Sequence, residues 1–395
     1  MSFADSNRVA LRYVAESVWG TTPSTPTMQN LNLTSESFKS NINTVTSETL
    51  RSDRNVSDIT TVGGGASGDM GFELRYGDLD DFIEAALGGT WTEVRASANV
   101  ATITVSANVI QCDSSIMNSV VVDQMLRIST ASTTANNGDY LVTAVSTTGG
   151  TARIYVNNAS SGSAAAFTSE IFDANNGLVQ GKILRNGTTN RSFTIEKEFS
   201  DVSSFAQYAG MRVGGMTLNF ESQAILTGSF NFTGKGQSIS SATIASAVTA
   251  AGSNDVMNAS GNVVRVWEGS DAITGVAFQS LSIELTNNPR EQAKIGSSDL
   301  AGVGLGRCEI TGSLSAYFEN NALITKFQNN TQTSLRFQVQ DGDGNSYVFS
   351  VPNAKYTDFT VAAGGPNNDI VQDGSWGAIL DSGGTYAIQI DALDA

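Results

Sequence analysis

The sequence predicts a mainly β fold, a β-rich unit with one helix used twice in one chain, with a small all-β domain inserted in the first copy. Three observations predict it. Thr, Val, Ile and Phe recur in short alternating runs, while long helical periodicities are scarce. Two distant segments repeat the same order of strand, long polar loop, strand and amphipathic helix. A third group of alternating strands, broken by Asn-Gly and Gly-Gly turns, interrupts only the first copy.

Each copy opens on a strand that alternates apolar and polar residues, LNLTSES (31–37) in one and LSIELTN (281–287) in the other. A long, Gly-ended polar loop follows each, too long for an idle connection in a compact domain. After the loops, SGDMGFELRYGDLDDFIEAALGG (67–89) superposes on CEITGSLSAYFENNALITKFQNN (308–330) without a gap, setting Gly71 on Gly312 and Tyr76 on Tyr317. Both copies then turn helical. In the first, Asp78 is the expected N-cap, Leu79, Phe82, Ile83, Ala86 and Leu87 form an apolar stripe, and Gly88-Gly89 stops the helix. In the second, Asn320 or Asn321 caps a stripe of Leu323, Ile324 and Phe327.

Two further strands complete each copy. SFTIEKEF (192–199) matches SLRFQVQD (334–341), and the following pair aligns Leu218 with Phe359, Phe220 with Val361 and Phe230 with Trp376. The N-terminal ALRYVAESVWG matches VVRVWEGSDA more loosely. The expected organisation is a first unit over 1–89 and 191–237, an inserted β-domain over 90–190, a polar linker over 238–260 with room for a short helical turn, and a second unit over 261–395. Insertion at a loop is tolerated because closure entropy grows slowly with length.

Composition narrows the function. A formal charge of −16 argues against wrapping nucleic acid or adsorbing to anionic lipid through the net field. The chain has no His, which removes the usual general base near neutral pH and imidazole metal sites. Cys112 and Cys308 lack metal or redox spacing and are expected as reduced thiols. The N-terminus shows no basic and apolar leader pattern, and no apolar run approaches the ~18 residues of a span, so the expectation is a soluble product folded in a cytoplasm. GLVQGK (177–182) and FTGKG (232–236) lack phosphate-loop spacing, and DGDGN (341–345) reads as a hairpin turn in preference to a calcium loop. No metal, cofactor or catalytic residue is expected.

The segments LRYVAESVWGTTPSTPTMQNLNLTSES, SETLRSDRNVSDITTVGGGASGDMGFEL, NNPREQAKIG and TGSLSAYFEN together resemble the tail tube (major tail) proteins of long-tailed, siphovirus-like bacteriophages. The resemblance covers both repeats and leaves the insert without a counterpart. It implies a β-sandwich or barrel-like domain with a flanking helix, assembled into stacked rings that guide DNA from capsid to cell. It also implies a virion protein assembled in the bacterial host cytoplasm, with the tape measure, tail terminator and distal tail or baseplate proteins as partners. Genomic DNA would pass without specific binding, and no membrane partner is implied. Two units per chain lead to three chains in a pseudo-hexameric ring.

Within that frame, the polar alternants of the strands are candidates for the lumen: Asn32, Thr34, Glu36, Thr217, Asn219, Glu221, Ser229, Asn231, Ser282, Glu284, Thr286 and Asp358. An acidic lining would let a polyanion slide. Loops 38–66 and 288–306, with Lys39, Glu48, Arg51, Asp53, Arg54, Arg290, Glu291, Lys294 and Asp299, are candidates for ring-to-ring contacts. The competing readings are a β-rich capsid decoration protein or adhesin and, with less support, a carboxylate-dependent glycan hydrolase.

Overall fold

The structure, a computed structural model, describes residues 5–97, 102–113, 119–161, 163–172, 177–268, 271–272 and 277–395. Val100 and Ala101 of the expected insert strand, and Gly269 and Ser270 of VVRVWEGSDA, lie outside the described residues.

The first unit begins with β1 (Val9–Ala15), β2 (Thr27–Asn30), β3 (Ser35–Glu36), β4 (Lys39–Thr46) and β5 (Ile59–Glu73), then helix α1 (Asp80–Leu87). The insert follows as β6 (Thr92–Ser97), β7 (Thr104–Ala107), β8 (Val109–Asp113), β9 (Met125–Ser129), β10 (Gly138–Thr148), β11 (Thr151–Asn158), β12 (Phe167–Ile171) and β13 (Leu178–Arg185). The first unit resumes with β14 (Phe193–Phe199), β15 (Ser204–Glu221), β16 (Thr227–Gly234), β17 (Gly236–Ser240) and β18 (Ala247–Thr249). The second comprises β19 (Val263–Glu268), β20 (Asp271–Ala272), β21 (Phe278–Thr286), β22 (Arg290–Gln292), β23 (Gly302–Gly304), β24 (Glu309–Tyr317), α2 (Ala322–Gln328), β25 (Thr333–Gln340), β26 (Ser346–Ala363), β27 (Ile370–Ile379) and β28 (Gln389–Leu393).

Both units follow one plan. A long strand, β15 in the first and β26 in the second, serves two layers. Its first half lies in an outer layer beside β14 or β25, and its second half lies in another sheet beside β16 or β27. The strand shifts register at Val213/Gly215 in one unit and at Tyr356/Asp358 in the other, where it passes between layers; a bulge supplies the bend. β1 pairs with β14 as β19 pairs with β25, so the looser N-terminal match marks equivalent strands.

The helices close the sandwiches. Phe82 of α1 lies 4.5 Å from the Tyr13 ring and 4.9 Å from Phe193 in the outer layer, and 5.4 Å from Phe232 in the other sheet. The predicted stripe is buried, and Gly88 ends the helix at φ +63°, a left-handed stop that glycine adopts without Cβ strain. The predicted cap is not formed: Leu79 holds the N-cap position, and the Asp78 carboxylate accepts from the Gly252 N–H at 3.0 Å. In α2, Asn321 is the N-cap residue, while Asn320 Oδ1 accepts the Ala322 N–H at 2.9 Å.

One register differs from the gapless superposition. Met70 pairs with Phe230 as Gly312 pairs with Trp376, so Met70, not Gly71, is the counterpart of Gly312. A slip of one residue exchanges the two faces of a strand. Tyr76 is accordingly buried, whereas Tyr317 is 39% exposed. The superposition of Leu218 on Phe359 and Phe230 on Trp376 holds, because Leu218 pairs with Gly228 as Phe359 pairs with Gly374.

The 238–260 segment is extended, without the helical turn for which the sequence left room. β18 runs parallel to β2, and Met257 is buried, its N–H donating to Leu74 O and its carbonyl accepting from the Leu226 N–H. DGDGN turns the β25–β26 hairpin, with Asp341 Oδ1 accepting the N–H groups of Asp343, Gly344 and Asn345. Both cysteines are free, and burial pushes each thiol up to about 11.

The insert has its own apolar core and is also welded to the second unit. β13 pairs with β28, which pairs in turn with the outer half of β26. Arg127 of the insert pairs with Asp139 and reaches Gly344 O, Ser346 Oγ and Asp394 O across the seam. Asp391 is fully buried there, accepting from the Met125 N–H at 3.2 Å and from Gln389 Nε2 at 2.8 Å. Burial pushes its carboxyl up to about 7, against the opposing pull of those hydrogen bonds and of Arg336 and Arg185.

The folded chain therefore holds a proton on Asp391 that the unfolded chain has already released. That contribution is complete below the ordinary carboxylate range and is lost as pH rises through about 7. Asp391→Asn should flatten this dependence, so that between about pH 4 and pH 8 the wild-type melting temperature falls relative to the variant's. Thermal melts across that range check it, and parallel profiles would contradict it.

Candidate functional site: one polar face and two open edges

Seven ladders join the inner strands of both units into one eight-stranded sheet in the order β3, β5, β16, β15, β21, β24, β27, β26. Each unit contributes four neighbours in the same order. The joint between them is the antiparallel ladder from Gly215↔Thr286 to Glu221↔Ser280. Among the described residues, no strand pairs with the outer side of β3 or with the outer side of β26 over 356–363. The sheet thus ends on two open edges, the first strand of unit one and the last strand of unit two.

One face of this sheet is core. Met70, Phe72, Leu218, Phe230, Ile283, Leu285, Leu314 and Trp376 are buried on it. Directly opposed residues in a ladder point to the same side, so the pairings define the other face. Thr217 opposes both Ser229 and Glu284, Asn219 opposes Ser282, and Glu221 opposes Ser280. Asn231 opposes Asp69, Thr286 opposes Glu309, and Asp358 opposes Ser375. Within the second unit, the neighbouring Ser282 and Ser313 share a hydroxyl hydrogen bond of 2.8 Å on the same face. Thr34 stands over Gly71, where an added Cβ would lie 3.0 Å from its Oγ1.

Two predicted members do not lie on this face. Glu36 opposes Met70 on the core side, and its carboxylate pairs with Lys197 Nζ at 2.5 Å. Asn32 donates to Asp78 Oδ2 at 2.9 Å and to Gly252 O at 2.8 Å beside the helix start. Both Leu31 and Leu33 pack on the core, yet so does Phe38 three residues beyond Ser35. The alternation therefore changes phase between Leu33 and Glu36, which period-two reading cannot see.

The face also holds acids that were not predicted: Asp69, Glu73, Glu309 and Asp373. The alternation in 309–317 and 370–379 carried this signal. Basic groups of this parity gather at one end of the sheet. Lys39 opposes Ser67, Arg212 opposes Thr233, and Lys355 opposes Gly377. Arg212 turns to donate to Val303 O. Arg307 at the same end pairs with Glu309 and holds that carboxyl below its usual range.

The predicted loop residues divide as well. Lys39 lies at the root of the β4–β5 ribbon, and Glu48, Arg51, Asp53 and Arg54 lie at its tip, where Arg51 Nε donates to Asp53 Oδ1 at 2.8 Å. Arg290, Glu291, Lys294 and Asp299 belong to a shorter loop folded back as the β22–β23 pair.

Among the described residues, no group of three His, Cys, Asp or Glu side chains is placed to hold a metal ion. The acids around α1 have protein partners: Asp78 with Asn32 and Gly252, Asp80 with the Tyr347 hydroxyl, and Asp81 with the Tyr13 hydroxyl at 2.9 Å. Among the described residues, no helix is long and apolar enough to cross a membrane.

A family model described as Phage tail tube protein matches residues 6–378. Among curated proteins, none matches the chain.

The sheet depends on Gly312, where an added Cβ would meet Ser282 O at 2.2 Å and the Trp376 ring at 2.3 Å. At Gly377 the nearest atom would be Thr357 Cγ2 at 3.8 Å. Gly312→Ala should destabilise the fold by about 1–3 kcal/mol, the scale of overpacking, whereas Gly377→Ala should cost less than half as much. Denaturant unfolding of the two variants checks the contrast.

Proposed function

Because the chain belongs to the phage tail tube protein family, we propose that three copies close edge to edge into a ring and that rings stack into the tail tube, a conduit for DNA ejection. One observation carries this reading: within the chain, unit one already joins unit two through last strand to first strand, and the same two kinds of edge remain open at the ends of the sheet. Repeating that joint between chains is a heterologous contact, which closes when the rotation permits. Three copies of the eight-stranded sheet bring twenty-four strands, about 115 Å of circumference at ~4.8 Å spacing, and tilt widens it. That bore is too wide for side chains to fill and admits hydrated duplex.

The polar face is the proposed lumen. Its acids repel a polyanion softly, over the ~8–10 Å that salt allows, while a basic lining would hold it. Glu36 and Asn32 leave the lumen set; the other predicted residues stay in it, joined by Asp69, Glu73, Glu309 and Asp373. The insert docks through β13 and β28 on the outer layer of the second unit, which supports an outward-facing position. The role is structural, not catalytic, in a virion assembled in the host cytoplasm. The partners are further copies, the tape measure, terminator and distal tail or baseplate proteins, and genomic DNA in transit.

Native mass measurement of a single ring should give three chains, and six would refute the stoichiometry. Reversing Glu221, Glu284 and Asp358 to Lys should leave tubes intact and slow ejection, because each cation added to the wall can hold a phosphate. Ejection rates equal to wild type would place these side chains elsewhere.

A further inference from the structure

The two long loops differ in kind. β5 is unbroken from Ile59 to Glu73, roughly 50 Å at ~3.4 Å per residue, so its first half carries the wall strand past the end of the sheet. Paired with β4 from Lys39↔Ser67 to Thr46↔Ile59, it makes a two-stranded ribbon whose outer part is exposed on both faces. Ile42 and Ile59 lie on one face and Val45 and Val62 on the other, each more than half exposed, and Leu50 at the tip is 99% exposed. A lone two-stranded ribbon is marginal in water, and a cluster of exposed apolar side chains marks a contact surface.

The second loop is spent inside the chain. Leu300 and Val303 are buried. Leu300 packs at the root of the ribbon, where a Cβ on Gly65 would lie 3.1 Å from its Cδ1. Arg212 donates to Val303 O, and the Gly306 N–H donates to Asn287 O at 2.7 Å. Ile295 is the one large apolar side chain that this loop exposes among the described residues.

Resting on the tube reading above, we propose that axial cohesion comes from one arm per chain. The 39–66 ribbon packs its apolar faces on a second copy in the adjoining ring, and loop 288–306 is a brace that fixes the ribbon's direction. A wall of six similar units would then be gripped by three arms. The occupant is another copy for two reasons. The ribbon leaves along the wall strand, toward the next ring of a stack. Its charges also cancel, Lys39, Arg51 and Arg54 against Glu48, Asp53 and Asp58, so it approaches a chain of charge −16 without net repulsion.

The test compares two variants of the full chain by sedimentation and electron microscopy, after circular dichroism confirms folding. Ile42→Ser, Val45→Ser, Ile59→Ser and Val62→Ser together should give rings of wild-type mass that fail to stack, or stack only at tenfold higher concentration. Arg290→Ala, Lys294→Ala and Ile295→Ser together should stack as wild type does. Arm variants that form normal tubes, arm variants that form no rings, or brace variants that stay as single rings would each overturn the proposal. As an independent measurement, Leu50→Cys carrying a photo-crosslinker should join chains in tubes and not in isolated rings; tubes without that cross-link would also overturn it. Wild-type protein that forms no rings would instead sink the tube reading itself.

Discussion

The ladder between 215–221 and 280–286 is the constraint on which the rest of this molecule depends. It merges two sandwiches into one sheet, and it fixes a single face for the polar residues of both units. Phe220 of the first unit lies 5.9 Å from Phe349 and 6.5 Å from Phe337 of the second, so the joint has an apolar backing as well as a hydrogen-bonded ladder. Natural sheets usually blunt their edges. Here the edge of one unit is consumed by the next, and the terminal edges, the short β3 and the 356–363 part of β26, have no strand beside them among the described residues.

The bent strands make this possible. By serving two layers, β15 and β26 bring the outer sheet, the helix and the inner sheet into one packed body. The inner sheet can then present a largely polar surface on its far side without losing its core. Charge follows the same division. Acids spread over that surface, while Lys39, Arg212, Arg307 and Lys355 lie on different strands toward the end of the sheet beyond which the ribbon extends. The insert adds a second body on the outer layer, locked by Arg127 and the shared strand β28 and not hung on a flexible tether.

Much of this was legible in the sequence, because alternation and order survive when identity does not. The strand-rich fold, both helices and the alternation along 217–221, 229–231 and 282–286 follow from period-two and helical patterning. The failures have physical causes. Glu36 and Asn32 were misplaced because the chain changes phase beside Thr34, and a local irregularity leaves no mark in composition. Gly71 was set on Gly312 because both are glycine, whereas packing against Phe230 and Trp376 assigns Met70 to that place. The Asp78 cap failed because a distant residue, Gly252, captured the carboxylate. The seam around Asp391 joins residues far apart in sequence, and only the fold brings them together.

Amide hydrogen exchange on unassembled chains and on finished tubes addresses the central claim, that this polypeptide lends its two terminal sheet edges to its neighbours. The account predicts that the outward-facing amides of 31–37 and 356–363, those not already bonded within the chain as Leu31, Thr34 and Ser37 are, gain strong protection on assembly, while those in 215–221 and 280–286 are protected in both states. Equal exchange at the terminal edges before and after assembly would contradict it.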